Sequence, residues 1–536
     1  MRLEVELVDG GGGGPAPDLP PPPTTPRPRR LDGFELSILL AFAAISMWVV
    51  ALDVWRVVFD GGVWTGTDGV YIVDQMQYLA WIKDASKHVL ASNLFVFRDT
   101  PADYFNPAVV VSGGLTALGI APWLSLLLWK PVAVIGFFFA VRAFAWRLLT
   151  GLWPRRVALV LALFFGSFTN VYGSFSVLGD LFPGFLTWGY VFSVLGLAAM
   201  VWALVAHQDS RYSDRRLWLA GSLGGLASLL HPWNGELLIA VVVAAELVMA
   251  LGHRYERGHL KLTIATVGGT AVPLVYYLIL GKADLSWKLA QVASKHAFSF
   301  WSITIAIVPL LVPAAVAYSR RPTTFLAAAT RTWPLAAFAI FVLSGTSLGA
   351  TPLHSFQGIT IPLSVLAVEG FQIIGWSRIQ RPVLAGAVLV ALFTIPTTYE
   401  ELKIAHALAA PTTNNANFIR GDERDALNYL ENLKEPGSVM TRSYLGAYVP
   451  GKTGRRSYVG DCLWSEPGCL NLTNHANTLF QTKGALTPAQ AQSFVLGSGA
   501  KFVLADCQTR VDLRTLLGPI IRSARGFGCA AVYEVE

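Results

Sequence analysis

Eleven apolar runs dominate the chain, near residues 36–58, 123–149, 157–176, 185–206, 217–232, 236–252, 262–281, 301–318, 333–349, 358–376 and 382–398. About 20 apolar residues in a helix span the hydrocarbon core of a bilayer, and only helices or closed barrels satisfy their backbone there. The pattern predicts an α-helical polytopic membrane protein. Charged residues make up only 14% of the chain and hydrophobic ones 53%, with a mean hydropathy of +0.49. A soluble domain carries roughly 25% charged residues, so a cytosolic enzyme is excluded, and 12% aromatics exclude extensive disorder.

The net charge of +7 would suggest nucleic acid as partner in a soluble protein. Here the cations sort by side instead. With the first loop inside, the inward loops hold Arg147/Arg155/Arg156, Arg211/Arg215/Arg216, Arg254/Arg257/Lys261, Arg320/Arg321/Arg331 and Arg378/Arg381. All are basic, as cytoplasmic loops are. Residues 60–107, 177–184, 282–300 and 350–357 then face outward. The stretch 108–129 is uncharged and long enough to cross, but counting it would export Arg155 and Arg156. It reads as a re-entrant or surface-lying helix.

Three domains follow. Residues 1–33 are a Pro/Gly-rich tract read as a disordered cytoplasmic tail. Residues 34–399 form the transmembrane domain with a large first outer loop, 60–107. Residues 400–536 carry 14 Lys+Arg and 13 Asp+Glu without a span-length apolar run, and read as an extracytoplasmic α/β domain. Helices are expected over Asp422–Leu433 and Pro488–Leu496, with strands over Ser457–Gly460, Lys501–Ala505 and Ala530–Val535. All four cysteines, Cys462, Cys469, Cys507 and Cys529, lie in this domain. An even number confined to one exported domain points to two disulfides, whereas a zinc site would want close CxxC pairs.

Candidate chemistry concentrates on the outward side. Tyr71–Leu90 fits a helix lying on the membrane surface, with Ile72, Met76, Leu79, Ile82 and Leu90 as an apolar stripe. Helical spacing stacks Asp74, Gln77, Trp81, Asp84 and His88 on the opposite face, with Tyr78 beside them. Partial burial of Asp74 would suit it to act as a general base. Asp180 lies in the outward turn GDLFPG. In His231-Pro232-Trp233-Asn234-Gly235-Glu236 the proline ends one helix and Asn234 can cap the next, but His231 and Glu236 at membrane depth call for a function. Lys288, among the cations of 282–300, and His354 with Gln357 complete the set as candidate binders of a lipid phosphate or its sugar. A P-loop, GxGxxG or HExxH motif is missing, so any reaction draws its energy from an activated substrate. No cofactor is expected. The outward loops of the membrane part hold no acidic-x-acidic pair, so a tightly held divalent metal is unsupported, although carboxylates from separate loops could still make a site.

A cytoplasmic N-terminus, about eleven spans, an acidic residue soon after the first span and an outward α/β domain together resemble the GT-C superfamily of integral-membrane glycosyltransferases, over nearly the whole chain. Members acting on the bacterial cell envelope are the closest in character, and TGRRSYVGD with KFVLAD is similar to the tail of such proteins. The resemblance implies a plasma-membrane enzyme that moves a sugar from a polyprenyl-phosphate donor to a glycan, glycolipid or protein acceptor with inversion, Asp74 being the base. The usual Asp-Glu or Asp-x-Asp is here Asp74-Gln75, and the oligosaccharyltransferase WWD motif is absent, which argues against metal dependence and transfer to asparagine. Two rival readings are a transporter or flippase of lipid-linked sugars, which often shows internal repeats, and a non-catalytic envelope-assembly scaffold.

Overall fold

The computed structural model describes residues 30–166, 181–211, 217–254, 257–293, 299–344, 352–375, 378, 380–412, 415–482 and 486–536. The first apolar run is a bent pair, α1 (Gly33–Ser46) and α2 (Trp48–Asp60), with 50° between them. Asp32 caps α1 reciprocally with Glu35. A loop carrying β1 (Val63–Trp64) leads to α3 (Ile72–His88) and α4 (Pro107–Ala117). Asn106 caps α4 through the N–H groups of Ala108 and Val109, and Pro107 fits its first turn.

The bundle follows as α5 (Pro122–Leu127), α6 (Trp129–Leu148), α7 (Leu152–Phe164), the short α8 (Pro183–Leu186), α9 (Val191–Ser210), α10 (Leu217–Leu230), α11 (Pro232–Leu251) and α12 (Arg257–Ala283). After it come α13 (Leu285–Ala293), α14 (Phe300–Ala317), α15 (Phe325–Leu343), a 3-10 turn (Pro352–Phe356), α16 (Thr360–Ile374) and α17 (Pro382–Leu408). Every expected span meets a helix here. Seven are long and apolar enough to cross a bilayer, with α5 and α6 taken together, and the bent pair makes an eighth. The other three, α7, α10 and α16, have only 13 to 15 residues. Residues 108–129 are not one helix: α4 stops before Gly119, whose φ is +100°, and α5 restarts at Pro122 and runs on towards α6.

The C-terminal domain holds β2 (Phe418–Ile419), α18 (Gly421–Asn432), β3 (Val439–Met440), α19 (Ser443–Thr453), α20 (Cys469–Phe480), α21 (Pro488–Ser498), β4 (Phe502–Ala505), α22 (Leu513–Leu517), β5 (Ile521–Phe527) and β6 (Ala530–Val535). Its sheet has the order β3-β4-β6-β5, parallel between β3 and β4 and antiparallel elsewhere. The expected boundary at residue 400 falls inside α17, and the strand expected at Ser457–Gly460 reduces to a single bridge from Ser457 to Val439. The cysteines pair as Cys462–Cys469 and Cys507–Cys529.

This domain does not stand apart. β2 pairs antiparallel with β1 of the first outer loop, and one buried apolar cluster runs from Phe42 and Phe137 to Ala426 and Val532. α3 is consequently not a surface-lying helix. Gln75, Gln77 and Asp84 are buried along with Met76, Leu79 and Ile82, because α4 covers one side and α19 another. Both contacts depend on glycine: a Cβ on Gly113 would lie 2.8 Å from that of Ala85, and one on Gly451 would lie 2.8 Å from that of Leu79. Leu90, expected in the apolar stripe, falls beyond the helix, which ends before Val89 at φ +71°.

Candidate active site

Asp74 sits in the first turn of α3, where unpaired backbone N–H groups and the helix dipole favour a carboxylate. Gln75 sets the entry to that helix: its Oε1 accepts from Asp68 N–H at 2.8 Å, and its Nε2 donates to Val70 O. Gln75 thus orders the loop before α3, a task that a second carboxylate would do less well. Asp68 is in turn paired with Lys130, both buried. Against this loop lies Gly189 at φ +111°, where a Cβ would come within 2.8 Å of Val70 O. Its close approach delivers Tyr190, whose ring packs 4.4 Å from Tyr71 and whose hydroxyl donates to Asp74 Oδ2 at 2.9 Å.

The first turn of α9 then links Asp74 to a second polar group. Ser193, three residues after Tyr190, donates through Oγ to Gln357 Oε1 at 2.7 Å, and its carbonyl accepts from Asn234 Nδ2 at 3.3 Å. Gln357 Nε2 donates to His354 Nδ1 at 3.1 Å. His354 stacks on Trp233 and meets the ring of His231 edge-on, with centroids 5.1 Å apart. The buried Nδ1 of His231 has no protein partner. The structure therefore brings His231, Asn234, His354 and Gln357 together, one turn of helix from the contact with Asp74. Glu236 is half-buried in the second turn of α11.

Other expected site residues are placed differently. Gln77 is buried within α3, and Tyr78 is packed edge-on against Phe192 at 5.0 Å. Trp81 belongs to an aromatic cluster, 4.2 Å from Tyr104, 5.3 Å from Trp464 and 6.2 Å from Trp287. Lys288 is exposed on α13. His88 is 14 residues beyond Asp74, roughly 21 Å along a helix that rises 1.5 Å per residue, and it pairs with Asp84 in a separate polar cavity of about 370 Å³ shared with Lys87 and Arg456. Asp180 lies outside the described residues. One group of three metal-ligating residue types clusters among the described residues, Asp422 with Cys507 and Cys529, and the disulfide withholds both thiolates from a metal.

Sequence reasoning missed Tyr190, Ser193 and Asp461. The last comes from the C-terminal domain, buried at 3% exposure. Burial, and then the charge of Asp74, push its carboxyl well above the ordinary carboxylate range.

No family model and no curated protein matches the chain. Solved structures do. The archaeal oligosaccharyltransferase AglB from Archaeoglobus fulgidus, solved with an inhibitory peptide and a dolichol-phosphate, superposes with a TM-score of 0.56 at 14% identity, over 91% of this chain and 72% of that one. ArnT from Cupriavidus metallidurans bound to undecaprenyl phosphate gives 0.52 at 13% identity, over 93% and 97%. The arabinofuranosyltransferase AftD from Mycobacteria gives 0.55 at 14%, over 94% of this chain but only 42% of AftD. The chain is thus a multi-pass membrane protein with the fold shared by these GT-C glycosyltransferases.

Proposed function

We propose that the protein is a membrane glycosyltransferase that moves a sugar from a polyprenyl-phosphate donor to a hydroxyl of a cell-envelope acceptor. The N-terminus lies in the cytoplasm and the C-terminal domain outside. The observation that carries the reading is the carboxylate of Asp74, presented at the start of α3 and held by Tyr190, within a fold whose solved examples include one bound to undecaprenyl phosphate.

The reaction follows from what these groups can do. Asp74 accepts the proton of the acceptor hydroxyl as its oxygen bonds to the anomeric carbon. The bond from that carbon to the phosphate oxygen breaks, and the polyprenyl phosphate leaves with the electron pair. Attack from the face opposite the phosphate inverts the anomeric centre. The imidazoles of His231 and His354 and the amide of Asn234 are placed to donate hydrogen bonds to the departing phosphate, where charge builds up. The bundle holds the lipid tail, so donor and acceptor meet in a fixed geometry.

The test is sugar transfer from a panel of radiolabelled polyprenyl-phosphate sugars in membranes containing wild type or Asp74→Asn. The wild type transfers from at least one donor, and Asp74→Asn, inserted and folded to the same level, loses about 100-fold or more, as expected when a general base is removed. Full activity in Asp74→Asn would remove the residue from this role. Movement of lipid-linked sugar across the bilayer without transfer would establish the transporter reading instead.

A further inference from the structure

The Cys462–Cys469 disulfide closes a tight turn of the C-terminal domain. Asp461 opens that turn, its carbonyl accepting from the N–H groups of Trp464 at 3.1 Å and Ser465 at 2.6 Å. Asn93 Nδ2 donates to Trp464 O at 2.9 Å and Ser465 Oγ to Phe95 O at 3.0 Å, which ties the turn to the first outer loop. The Trp464 ring meets Trp81 edge-on at 5.3 Å. Trp81 lies seven residues from Asp74, two helical turns along the same face of α3. The turn therefore covers the face from which Asp74 projects.

Two polar atoms on this turn are left unused by the fold. Asp461 Oδ1 accepts from Leu463 N–H at 2.8 Å, while the buried Oδ2 has no partner among the described residues. Trp464, 4% exposed, leaves its Nε1 in the same condition. Burying a polar atom without a partner is costly, and such exceptions in native structures call for an explanation. Burial, and then the charge of Asp74, raise the Asp461 carboxyl above its ordinary range and so favour the protonated form, which is a hydrogen-bond donor as well as an acceptor. A donor, an acceptor and indole walls suit a hydroxylated ring with apolar faces. A cation between the two carboxylates would leave the indole N–H unused.

We propose that Asp461 and Trp464 form an acceptor subsite beside Asp74, and that it takes a saccharide through neighbouring hydroxyls. One hydroxyl gives its proton to Asp74 and bonds to the anomeric carbon as the phosphate leaves. The next is held by Asp461 Oδ2, and Trp464 Nε1 donates to a further oxygen of the ring; neither residue changes covalently. The inference rests on the glycosyl-transfer reading and narrows its acceptor to a carbohydrate, since a serine or threonine side chain brings one hydroxyl and no ring.

Two measurements on the full chain in lipid nanodiscs test it: equilibrium binding of mannotriose, galactotriose, arabinotriose and a serine-containing hexapeptide, and acceptor KM in the transfer assay. At least one trisaccharide binds the wild type more tightly than the peptide does, and Asp461→Ala and Trp464→Phe each weaken it about tenfold, as loss of a buried polar contact would. Trp464→Phe keeps an aromatic ring in place, so a fall in affinity at an unchanged melting temperature reports the N–H. Saccharide binding unchanged in both variants, preference for the peptide, or failure of every trisaccharide to bind the wild type each overturns the subsite. If the wild type transfers no sugar but both variants still lose saccharide binding, the transferase reading falls and the subsite stands. If transfer proceeds with an unchanged acceptor KM in both variants, the subsite falls and the transferase reading stands.

Discussion

Tyr190 restrains the Asp74 carboxylate from outside its helix, 116 positions away in sequence. Tyr190→Phe keeps the ring against Tyr71 and removes one hydrogen bond worth about 1 kcal/mol, so transfer falls about fivefold while the melting temperature stays at the wild-type value. A steady-state assay beside a thermal melt checks both halves. Asp74 stands out in the sequence as an acidic residue opening an amphipathic helix just after the first span. Tyr190 and Asp461 carry no such mark. Tyr190 reads as one more aromatic residue at a helix end, and Asp461 as one more acid in a charged domain. Each gains meaning only when the chain brings it across to α3. Asn234 was flagged by itself and His354 together with Gln357, while Ser193, in the first turn of α9, carries no mark in the sequence and is what joins them.

Among the elements, α3 shows most clearly where a periodicity argument stops. Its extent was legible to within two residues at its C-terminal end, but it was read as lying on the membrane surface when α4 and α19 in fact cover it. A hydropathy pattern records what a helix can bury, not which distant segment arrives to bury it. The glycines at these crossings record the closeness of the fit. A Cβ on Gly446 would sit 1.9 Å from the backbone oxygen of Val459, just before Asp461. Gly446→Ala therefore destabilises the protein by roughly 1–3 kcal/mol through overpacking. Gly497, inside α21 with nothing within 4 Å, behaves oppositely. Gly497→Ala adds about 0.5–1 kcal/mol by helix propensity. Melting curves of the two variants, with opposite signs expected, check the contrast. The three short apolar helices were also legible as apolar, but α10 ends where Pro232 begins α11, so its run was cut by the segment that carries His231.

At the scale of the molecule, the disulfides staple a domain whose sheet rests partly on a two-residue strand, β3. Cys507 and Cys529 are 22 residues apart, against 7 for the other pair. On chain-entropy grounds the longer loop gives the larger stabilisation, about 3 kcal/mol. Cys507→Ser with Cys529→Ser lowers the melting temperature and makes it insensitive to mild reductant over that step. Transfer at low temperature persists, because Glu423 and Asp422 still accept from the backbone N–H groups of residues 507 and 529. The antiparallel pairing of β1 with β2 has a consequence in time. Thr65, beside β1, hydrogen-bonds through its hydroxyl to Ala416, 351 positions later. During synthesis the segment that presents Asp74 leaves the ribosome hundreds of residues before α19 and the turn at Asp461. At about 5–20 residues per second the face they cover waits for tens of seconds, so α3 is among the first parts to emerge while one of its faces is among the last to be sheltered.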